Sequence, residues 1–563
     1  MTDGRIPRIV VEAARRQAAA EVARRFQLTL VLAGLIGVVT GVGVAGFDVV
    51  VGHSLRWVQH QPVWLLAIVP SVALVVVAVI AMIDDGDTAT TDAYVRTYHE
   101  RGGRLPVGRL WAKLTAAAVS LGSGAALGFE GPSLLLGATI GSFVEDRSAR
   151  RLRRDDAKVL MVAGAAAGVA AVFKAPLTGV VFALEVPYRS DVARRAMLPT
   201  LVAAGASYVT YVALVGTEPL LSSGGSAPFD LRDLGGGLVV GIVCGILARL
   251  GAWSIGHAKR LPLRRSVRVL AAAAIFAGLA PLTAWWFDSP LHLGPGYLAI
   301  DWAVAPQRTV AALVGLFVVR AFATWVSVGA GGVGGLFIPL VAQGAIVGAI
   351  CQHLLNAPNA RLFPVVGIAA FLGAGYRTPL AGVAFVAEAT GQPGFLVPAL
   401  LAAAVAQLAM GPRSFSPYQH REREPDIEPL TRLPVADIMS PRPDTVDGSL
   451  SLDATVELML RQNRRWAPVL MDGAYFGLIA VTDIADVDRD EWATTTAADV
   501  ARTDIPPAAP DDPVSLVAAR LRSSDDEAVA VTDDGVVIGV VTLRDLGNLE
   551  VLLDKIVDGT TLR

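Results

Sequence analysis

Long apolar segments, interrupted by glycine and proline, most limit what this chain can fold into. Of 563 residues, 53% are hydrophobic and 17% are charged, and the mean hydropathy is +0.53. A helix of about 20 apolar residues spans a bilayer, and 28–51, 63–83, 197–215 and 269–287 have that length. Other apolar segments, such as 177–186, are too short to span alone. This pattern predicts an α-helical polytopic membrane protein with discontinuous helices around a polar cavity.

The apolar part of the sequence repeats itself. KAPLTGVVFALE (174–185) matches RTPLAGVAFVAE (377–388), 203 positions later (379 minus 176 at the aligned prolines). LGSGAALGFEGPSLLLGATIGSF (121–143) has an echo in GAGGVGGLFIPLVAQGAIVG (329–348), at an offset of 207 (335 minus 128). Two motifs in the same order predict inverted-repeat halves with a site where they meet.

The first of these motifs contains one carboxylate, Glu130, in apolar surroundings. Gly128 and Gly131 flank it, and Pro132 favours the first turn of a helix. A helix N-terminus has free N–H groups and attracts anions, so a carboxylate there can occupy an anion's place. In the second copy, Phe337 replaces the acid.

The last part of the chain has a different composition. After a polar stretch, residues 435–563 predict soluble α/β structure, with helices near 452–462 and 514–521. DGAYFGLIAVTDI (472–484) matches DGVVIGVVTLRDL (534–546), and each copy has an Asp-Gly turn typical of a β-hairpin.

These features predict the division of the chain. The N-terminal helix, on the cytoplasmic surface, is 1–26; a membrane domain is 27–419, with repeats at about 27–215 and 233–419; a linker is 420–434; and a tandem α/β pair is 435–563. The arginine-rich loop 147–154 predicts a cytoplasmic face by its positive charge.

On three motifs, the membrane part resembles the CLC family of chloride channels and chloride/proton exchangers. GFEGP (128–132) matches the family's Gly-Arg/Lys-Glu-Gly-Pro except at Phe129, and GLFIP (335–339) matches Gly-x-Phe-x-Pro in full. SPY (416–418) fits the tyrosine after the last membrane helix. The tail resembles a tandem CBS pair.

The resemblance implies chloride transport through a glutamate-gated pathway, with Glu130 as the gate and protons as a coupled partner. Leu336 and Phe337 would donate backbone N–H groups to chloride, and the Tyr418 hydroxyl would be a further donor, although an interfacial anchor is its other interpretation. It also implies a homodimer in the cell (inner) membrane, with both termini cytoplasmic. The filter motifs comprise Gly128, Phe129, Gly131, Pro132, Gly335, Ile338 and Pro339.

Three departures from the family pattern affect these expectations. The Gly-Ser-Gly-x-Pro motif is missing; its best placement puts Ala89 at the serine position, and a register using Gly86 is the alternative. Val186 stands where exchangers carry an internal glutamate, next to Glu185. Because valine cannot relay a proton, we expect weak coupling. Phe129 removes a positive charge near the gate.

For the tail, the CBS resemblance implies adenine-nucleotide contacts at Thr542 and Asp545. Ala480 and Asp483 are the equivalents in the first copy, without the hydroxyl. No cofactor is required for transport, and a structural dimerisation role is favoured over nucleotide binding.

Other classes of function fit the sequence less well. A passive chloride channel without proton coupling is the main alternative. The seven histidines and two cysteines show no metal-ligand spacing, so an intramembrane enzyme lacks its catalytic set and we expect no enzyme activity. A cation transporter would need more acids in the filter motifs. A net charge of -2 gives no reason to expect a nucleic-acid partner.

Overall fold

The structure is a computed structural model, and it divides into two units, Met1–Arg423 and Glu424–Arg563. It describes residues 8–83, 90–100, 103–148, 156–218, 220–221, 231–305, 307–355, 362–422, 433–441, 443–462, 464–523 and 528–548. Ala89, Gly86 and most of the arginine-rich loop lie outside these residues.

The described part of the first unit is helical, as the apolar pattern predicts. Its helices are α1 (Arg8–Gln59), α2 (Val63–Ile83), α3 (Thr91–Glu100), α4 (Leu110–Gly122), α5 (Glu130–Ser148), α6 (Asp156–Phe173), α7 (Pro176–Glu185), α8 (Met197–Val215), α9 (Leu231–Lys259), α10 (Arg265–Phe287), α11 (Tyr297–Val304), α12 (Val310–Gly329), α13 (Phe337–Leu354), α14 (Leu362–Tyr376), α15 (Pro379–Thr390) and α16 (Leu396–Met410).

Within the described residues, seven helices are long and apolar enough to cross a membrane. Apolar helices of 10–17 residues accompany them, including α7, α14 and α15, which is the mixture expected of a transporter with discontinuous helices. The predicted boundary between residues 26 and 27 falls inside one continuous helix, α1. No proline interrupts the N–H donors of α1 there, so nothing in the local sequence ends the helix.

Two crossings of helices repeat in the two halves. A Cβ on Gly137 of α5 would overlap the carbonyl of Gly164 on α6, and the reverse also holds. Gly344 of α13 and Gly367 of α14 show the same mutual closeness. The repeated glycines of the sequence therefore mark the point where the paired helices of each half touch through their backbones.

The two halves also cap each other with carboxylates. Glu388, at the end of α15, accepts hydrogen bonds from the N–H groups of Leu177 and Thr178 at 2.8 and 2.7 Å and from the Thr178 hydroxyl at 2.7 Å. Glu185, at the end of α7, accepts from the N–H groups of Leu380 and Ala381 at 3.3 and 2.9 Å. Each acid meets the positive N-terminus of the equivalent helix in the other half.

A buried arginine fixes the loop before α11. Arg320 of α12 is 1% exposed, and its guanidinium donates to the carbonyls of Leu291, His292, Leu293, Gly294 and Pro295 at 2.8–3.3 Å. In turn, the Gly294 N–H donates to the Gly124 carbonyl at 2.8 Å, so the loop supports the chain that leads into α5.

The second unit contains two small sheets. The helices are α17 (Leu452–Arg461), α18 (Val481–Ala485), α19 (Ala497–Val500) and α20 (Val514–Ser523); the strands are β1 (Ser440–Pro441), β2 (Val446–Asp447), β3 (Trp466–Met471), β4 (Ala474–Ala480), β5 (Ala528–Asp533) and β6 (Val536–Thr542). One sheet has the order β1-β6-β5 and the other β2-β3-β4.

Each predicted hairpin of this unit is present. β3 and β4 pair antiparallel, as do β5 and β6. Asp472 and Gly473 join the first pair with φ of 51° and 80°, and Asp534 and Gly535 join the second with 47° and 81°. Positive φ at both central residues is the geometry for which Asp-Gly turns are selected.

We expect Glu388→Ala to lower the free energy of unfolding by about 3 kcal/mol, because the donors at the start of α7 lose a charged acceptor. Glu388→Gln retains one carbonyl acceptor and should cost less. Thermal unfolding of the purified protein in detergent, followed by circular dichroism, measures both changes.

A suitable control is Glu422→Ala. Glu422 is exposed and lies 3.9 Å from Arg421, its neighbour in the chain, and such surface pairs contribute little. Equal melting temperatures for the variants at 388 and 422 would show that the cap between the halves contributes nothing to stability.

Candidate functional site

The two glycine motifs meet through their backbones. The Gly128 N–H donates to the Gly335 carbonyl and the Gly335 N–H donates to the Gly128 carbonyl, both at 2.8 Å, as an isolated antiparallel bridge. Two residues later, α5 begins at Glu130 and α13 begins at Phe337. The bridge therefore places the N-termini of two helices, one from each half, side by side.

Glu130 reaches across this junction to the other half. Its carboxylate accepts a hydrogen bond from the Phe337 N–H at 2.5 Å, and the residue is 1% exposed. A Cβ on Gly128 or Gly335 would overlap this carboxyl group, which explains the glycine at both positions. The sequence predicts Glu130 at the start of its own helix; the structure adds that its carboxylate binds the N-terminus of α13.

The side chain of Phe337, the donor residue, belongs to a group of packed aromatic rings. Phe337 packs against Phe173, Phe182 and Phe385, with ring centroids 4.4, 5.2 and 5.1 Å apart. Such packing of rings excludes water. The backbone donor that binds the carboxylate therefore belongs to a residue whose side chain is packed in an aromatic cluster.

The other residues of the filter motifs lie in the same junction. Leu336 and Phe129 each precede the first residue of a helix and are buried. A Cβ on Gly131 would meet the backbone of Gly335. Pro132, Ile338 and Pro339 are buried in the first turns of α5 and α13.

A cavity of about 1150 Å³ leads to this junction. Gly335 and Leu336 line its buried end, together with Thr90, Thr91 and Tyr376. The Thr90 hydroxyl donates to the Gly334 carbonyl at 3.1 Å. Thr90 directly follows Ala89, which stands at the serine position of the family motif and has no hydroxyl. A hydroxyl group is therefore present one residue after that position.

Two tyrosines and a serine of this cavity differ in depth. Tyr418 is half-buried and lies under the Arg96 guanidinium, 5.5 Å from the ring centroid. Tyr376, at the end of α14, is 3% exposed, and its ring packs edge-on against Phe182. Ser416 is fully buried, and its hydroxyl meets no partner among the described residues. Sequence reasoning selected Tyr418 and missed the two deeper hydroxyl groups.

The walls of the cavity are basic. Asp92 is the one described acid that lines it, and its carboxylate binds the Lys259 ammonium at 2.5 Å. Such an excess of one charge in a low-dielectric cleft raises the local concentration of anions. The cationic lining residues are Arg96, Arg189, Lys259, Arg260, Arg265, Arg268 and Arg413.

Val186, the position of the internal acid in exchangers, is fully buried at the end of α7. Its carbonyl accepts a hydrogen bond from Gln419 Nε2 at 2.9 Å. The carboxylate of the neighbouring acid, Glu185, already accepts hydrogen bonds from the backbone at the start of α15. The end of α7 therefore offers no free carboxylate for proton transfer.

In the second unit, the expected nucleotide contacts form local turns. The Thr542 hydroxyl and N–H donate to the Asp545 carboxylate at 2.7 and 2.9 Å. In the first copy, the Ala480 N–H donates to the Asp483 carboxylate at 2.9 Å. Both acids thus hold the turn from strand to helix.

Sequence models of two families match the chain. The one described as "Voltage gated chloride channel" matches residues 85–411, and the CBS domain model matches 435–490 and 497–548. The "H(+)/Cl(-) exchange transporter ClcA" of Yersinia pestis is 28% identical over 405 residues, covering 66% of this chain and 82% of that protein.

Solved structures resemble the chain as well. A slow cyanobacterial Cl-/H+ antiporter aligns with a TM-score of 0.60 and 25% identity, covering 68% of this chain and 94% of the other. A eukaryotic CLC transporter shares the fold, with a TM-score of 0.58 and 18% identity, over 92% of this chain and 98% of its own. The chain is an integral membrane protein that belongs to the voltage gated chloride channel (CLC) family and carries two CBS domains.

Proposed function

We propose that this protein carries chloride, or a related small anion, across a membrane in exchange for protons, with Glu130 as the gate. The hydrogen bond from the Phe337 N–H to the Glu130 carboxylate carries the proposal. It puts a negative group at the N-terminus of α13, next to Gly335 and Leu336, which line a basic cavity. A halide ion has the charge and the acceptor capacity to take the same place.

The gating step follows from this geometry. While the carboxylate is ionised, it holds the α13 N-terminus and excludes the anion. Protonation removes its charge and weakens the bond to Phe337, so the side chain can leave. A chloride ion then accepts hydrogen bonds from the backbone N–H groups of Leu336 and Phe337, as the family motif implies. Deprotonation returns the carboxylate and expels the ion.

Hydroxyl groups of the cavity supply further donors. We assign Tyr376 and Tyr418 to this role, and Thr90 as the hydroxyl nearest to Ala89, because all three line the cavity. Ala89 itself stays a prediction, as a backbone contact. The filter assignments of the remaining motif residues likewise stay predictions.

Exchange is favoured over a passive channel. The relatives bear the names of exchange transporters, and Glu130 must take up and release a proton whenever it leaves the pathway. Val186 argues for weak coupling, because a proton crossing an apolar region without a titratable group costs several kcal/mol.

Glu130→Gln mimics the protonated gate, so we expect chloride flux at or above the wild-type level, with no dependence on pH. Proton movement driven by a chloride gradient should disappear. The measurement uses the full chain in lipid vesicles, with a chloride electrode and a pH electrode. A folded Glu130→Gln protein without chloride flux would contradict the gate assignment.

Tyr376→Phe removes one donor from the buried end of the cavity. We expect chloride binding to weaken about five- to tenfold, the effect of losing one hydrogen bond of about 1–1.4 kcal/mol. Tyr418→Phe, nearer the opening, should weaken binding less. Calorimetric titration of chloride into both purified variants makes the comparison. If Tyr418→Phe weakens chloride binding more than Tyr376→Phe does, the assignment of Tyr376 as the stronger donor is wrong.

The assembly and the location are part of the proposal. We infer a homodimer with one complete pathway per chain, because both halves and all three motifs lie in a single chain. The cell (inner) membrane and cytoplasmic termini agree with the arginine-rich loop. We assign the CBS pair a structural role in dimerisation, with adenine-nucleotide binding at Thr542, Asp545 and Asp483 as the alternative.

The mass of the protein in detergent should be that of two chains. In vesicles with mixed dimers of wild-type and inactivated chains, we expect about half of the wild-type flux, because each chain has its own pathway. Light scattering with correction for detergent gives the mass. A monomer at all concentrations, or mixed dimers without any flux, would refute this arrangement.

A further inference from the structure

Two histidines from distant parts of the first unit stack beside Val186. The rings of His99, on α3, and His420 have centroids 3.8 Å apart and planes 6° from parallel. His99 Nε2 lies 2.7 Å from the carbonyl oxygen of Pro187, the residue after Val186. The His420 carbonyl accepts the Arg189 N–H at 2.8 Å. The pair is thus held against the chain that leaves α7.

We propose that His99 and His420 form the proton entry site of this exchanger, in place of the internal carboxylate that Val186 replaces. An imidazole takes a proton from bulk water and releases it to a water molecule inside the protein. The imidazolium N–H bond breaks, an O–H bond forms on the Glu130 carboxylate, and the imidazole is neutral again. The proposal rests on the proposed exchange of chloride and protons.

The charge of the cavity is the physical reason for a separate entry. Its cationic side chains attract chloride and, by the same field, repel hydronium ions. Neither histidine belongs to the described residues that line this cavity. Histidine is also the side chain whose ordinary charge change falls between about pH 5 and 8, which makes an imidazole a suitable proton carrier.

The surroundings of the pair suit a single proton. Two stacked imidazoles do not both carry a positive charge readily, because like charges at this distance repel. The Tyr98 and Tyr188 hydroxyls lie 3.1 Å apart, and both rings meet His99 edge-on. The further charged groups near the pair are Lys158, 5.4 Å above the Tyr98 ring, the chain neighbours Glu100 and Arg421, and Arg189, whose N–H donates to the His420 carbonyl.

Gln419 connects this place with the gate. Its Nε2 donates to the carbonyls of Val186 and Tyr376 at 2.9 and 2.8 Å. Its Oε1 is buried and accepts no hydrogen bond from the described residues, so it suits a bridging water. The Tyr376 side chain lines the cavity beside Leu336. Polar groups therefore run from the side of His420 to Tyr376, at the part of the cavity that Gly335 and Leu336 line.

The test compares the full-length protein with His99→Asn, His420→Asn and the double variant in lipid vesicles. Proton and chloride movements are recorded together, with the pH on the cavity side varied from about 5 to 8. His60→Asn is the matched control, since His60 is exposed and lies at the end of the apolar stretch of α1.

We expect the double variant to lose at least about tenfold in proton transport, because a positioned proton-transfer group contributes about 10²–10⁴-fold. Chloride flux should stay within about twofold, which shows that the variant is folded. Each single variant should lower the proton-to-chloride ratio, and the control should not. Val186→Glu in the double variant should restore proton transport, because it returns a titratable group to the same place.

Proton transport at the wild-type ratio in the double variant would overturn the proposal. If the double variant also loses chloride flux, the single variants decide, and wild-type ratios in both overturn it. Wild-type protein that moves chloride without protons at every pH would refute the proposal together with the exchange. Failure of the pair alone appears only in the histidine variants, whereas failure of the gate appears in Glu130→Gln.

Discussion

The backbone bridge between Gly128 and Gly335 is the contact on which the site depends. It joins the two glycine motifs by two hydrogen bonds of 2.8 Å and so determines where α5 and α13 begin. Because neither residue has a Cβ, the Glu130 carboxyl group fits beside the two bridged glycines, at the N-terminus of α13. A side chain at either glycine would take the space of the carboxylate, which in our proposal is also the place of the anion.

The site is also the place where the symmetry of the halves ends. Glu130 and Phe337 occupy equivalent positions, 207 residues apart, and each begins its helix. One half supplies the acid and the other supplies the N–H group that receives it. Elsewhere the halves behave alike: Glu185 caps the N-terminus of α15, and Glu388 caps the N-terminus of α7.

Patterns that repeat could be predicted from the sequence, because a repeat records a contact made twice. The repeated glycine motifs predicted a site where the two halves meet, and the Asp-Gly pairs indicated both hairpins. Tyr376 and Thr90 could not be found in this way. Each stands beside a motif but belongs to none of the filter motifs, and it reaches the site through the path of the chain. Arg320 likewise reaches the carbonyls of a loop far from it in sequence.

The charge distribution links the anion and the proton. A basic cavity favours chloride at Glu130 and disfavours a hydronium ion on the same path. In the proposed cycle, the carboxylate nevertheless takes up one proton for each departure from the α13 N-terminus. A valine at position 186 removes the usual carrier without removing this need. In our proposal, the His99–His420 pair outside the cavity supplies this proton, and the added positive charge is present only while the proton is carried. In this proposal, the arginines of the cavity attract the anion, and the two histidines carry the proton by a separate path.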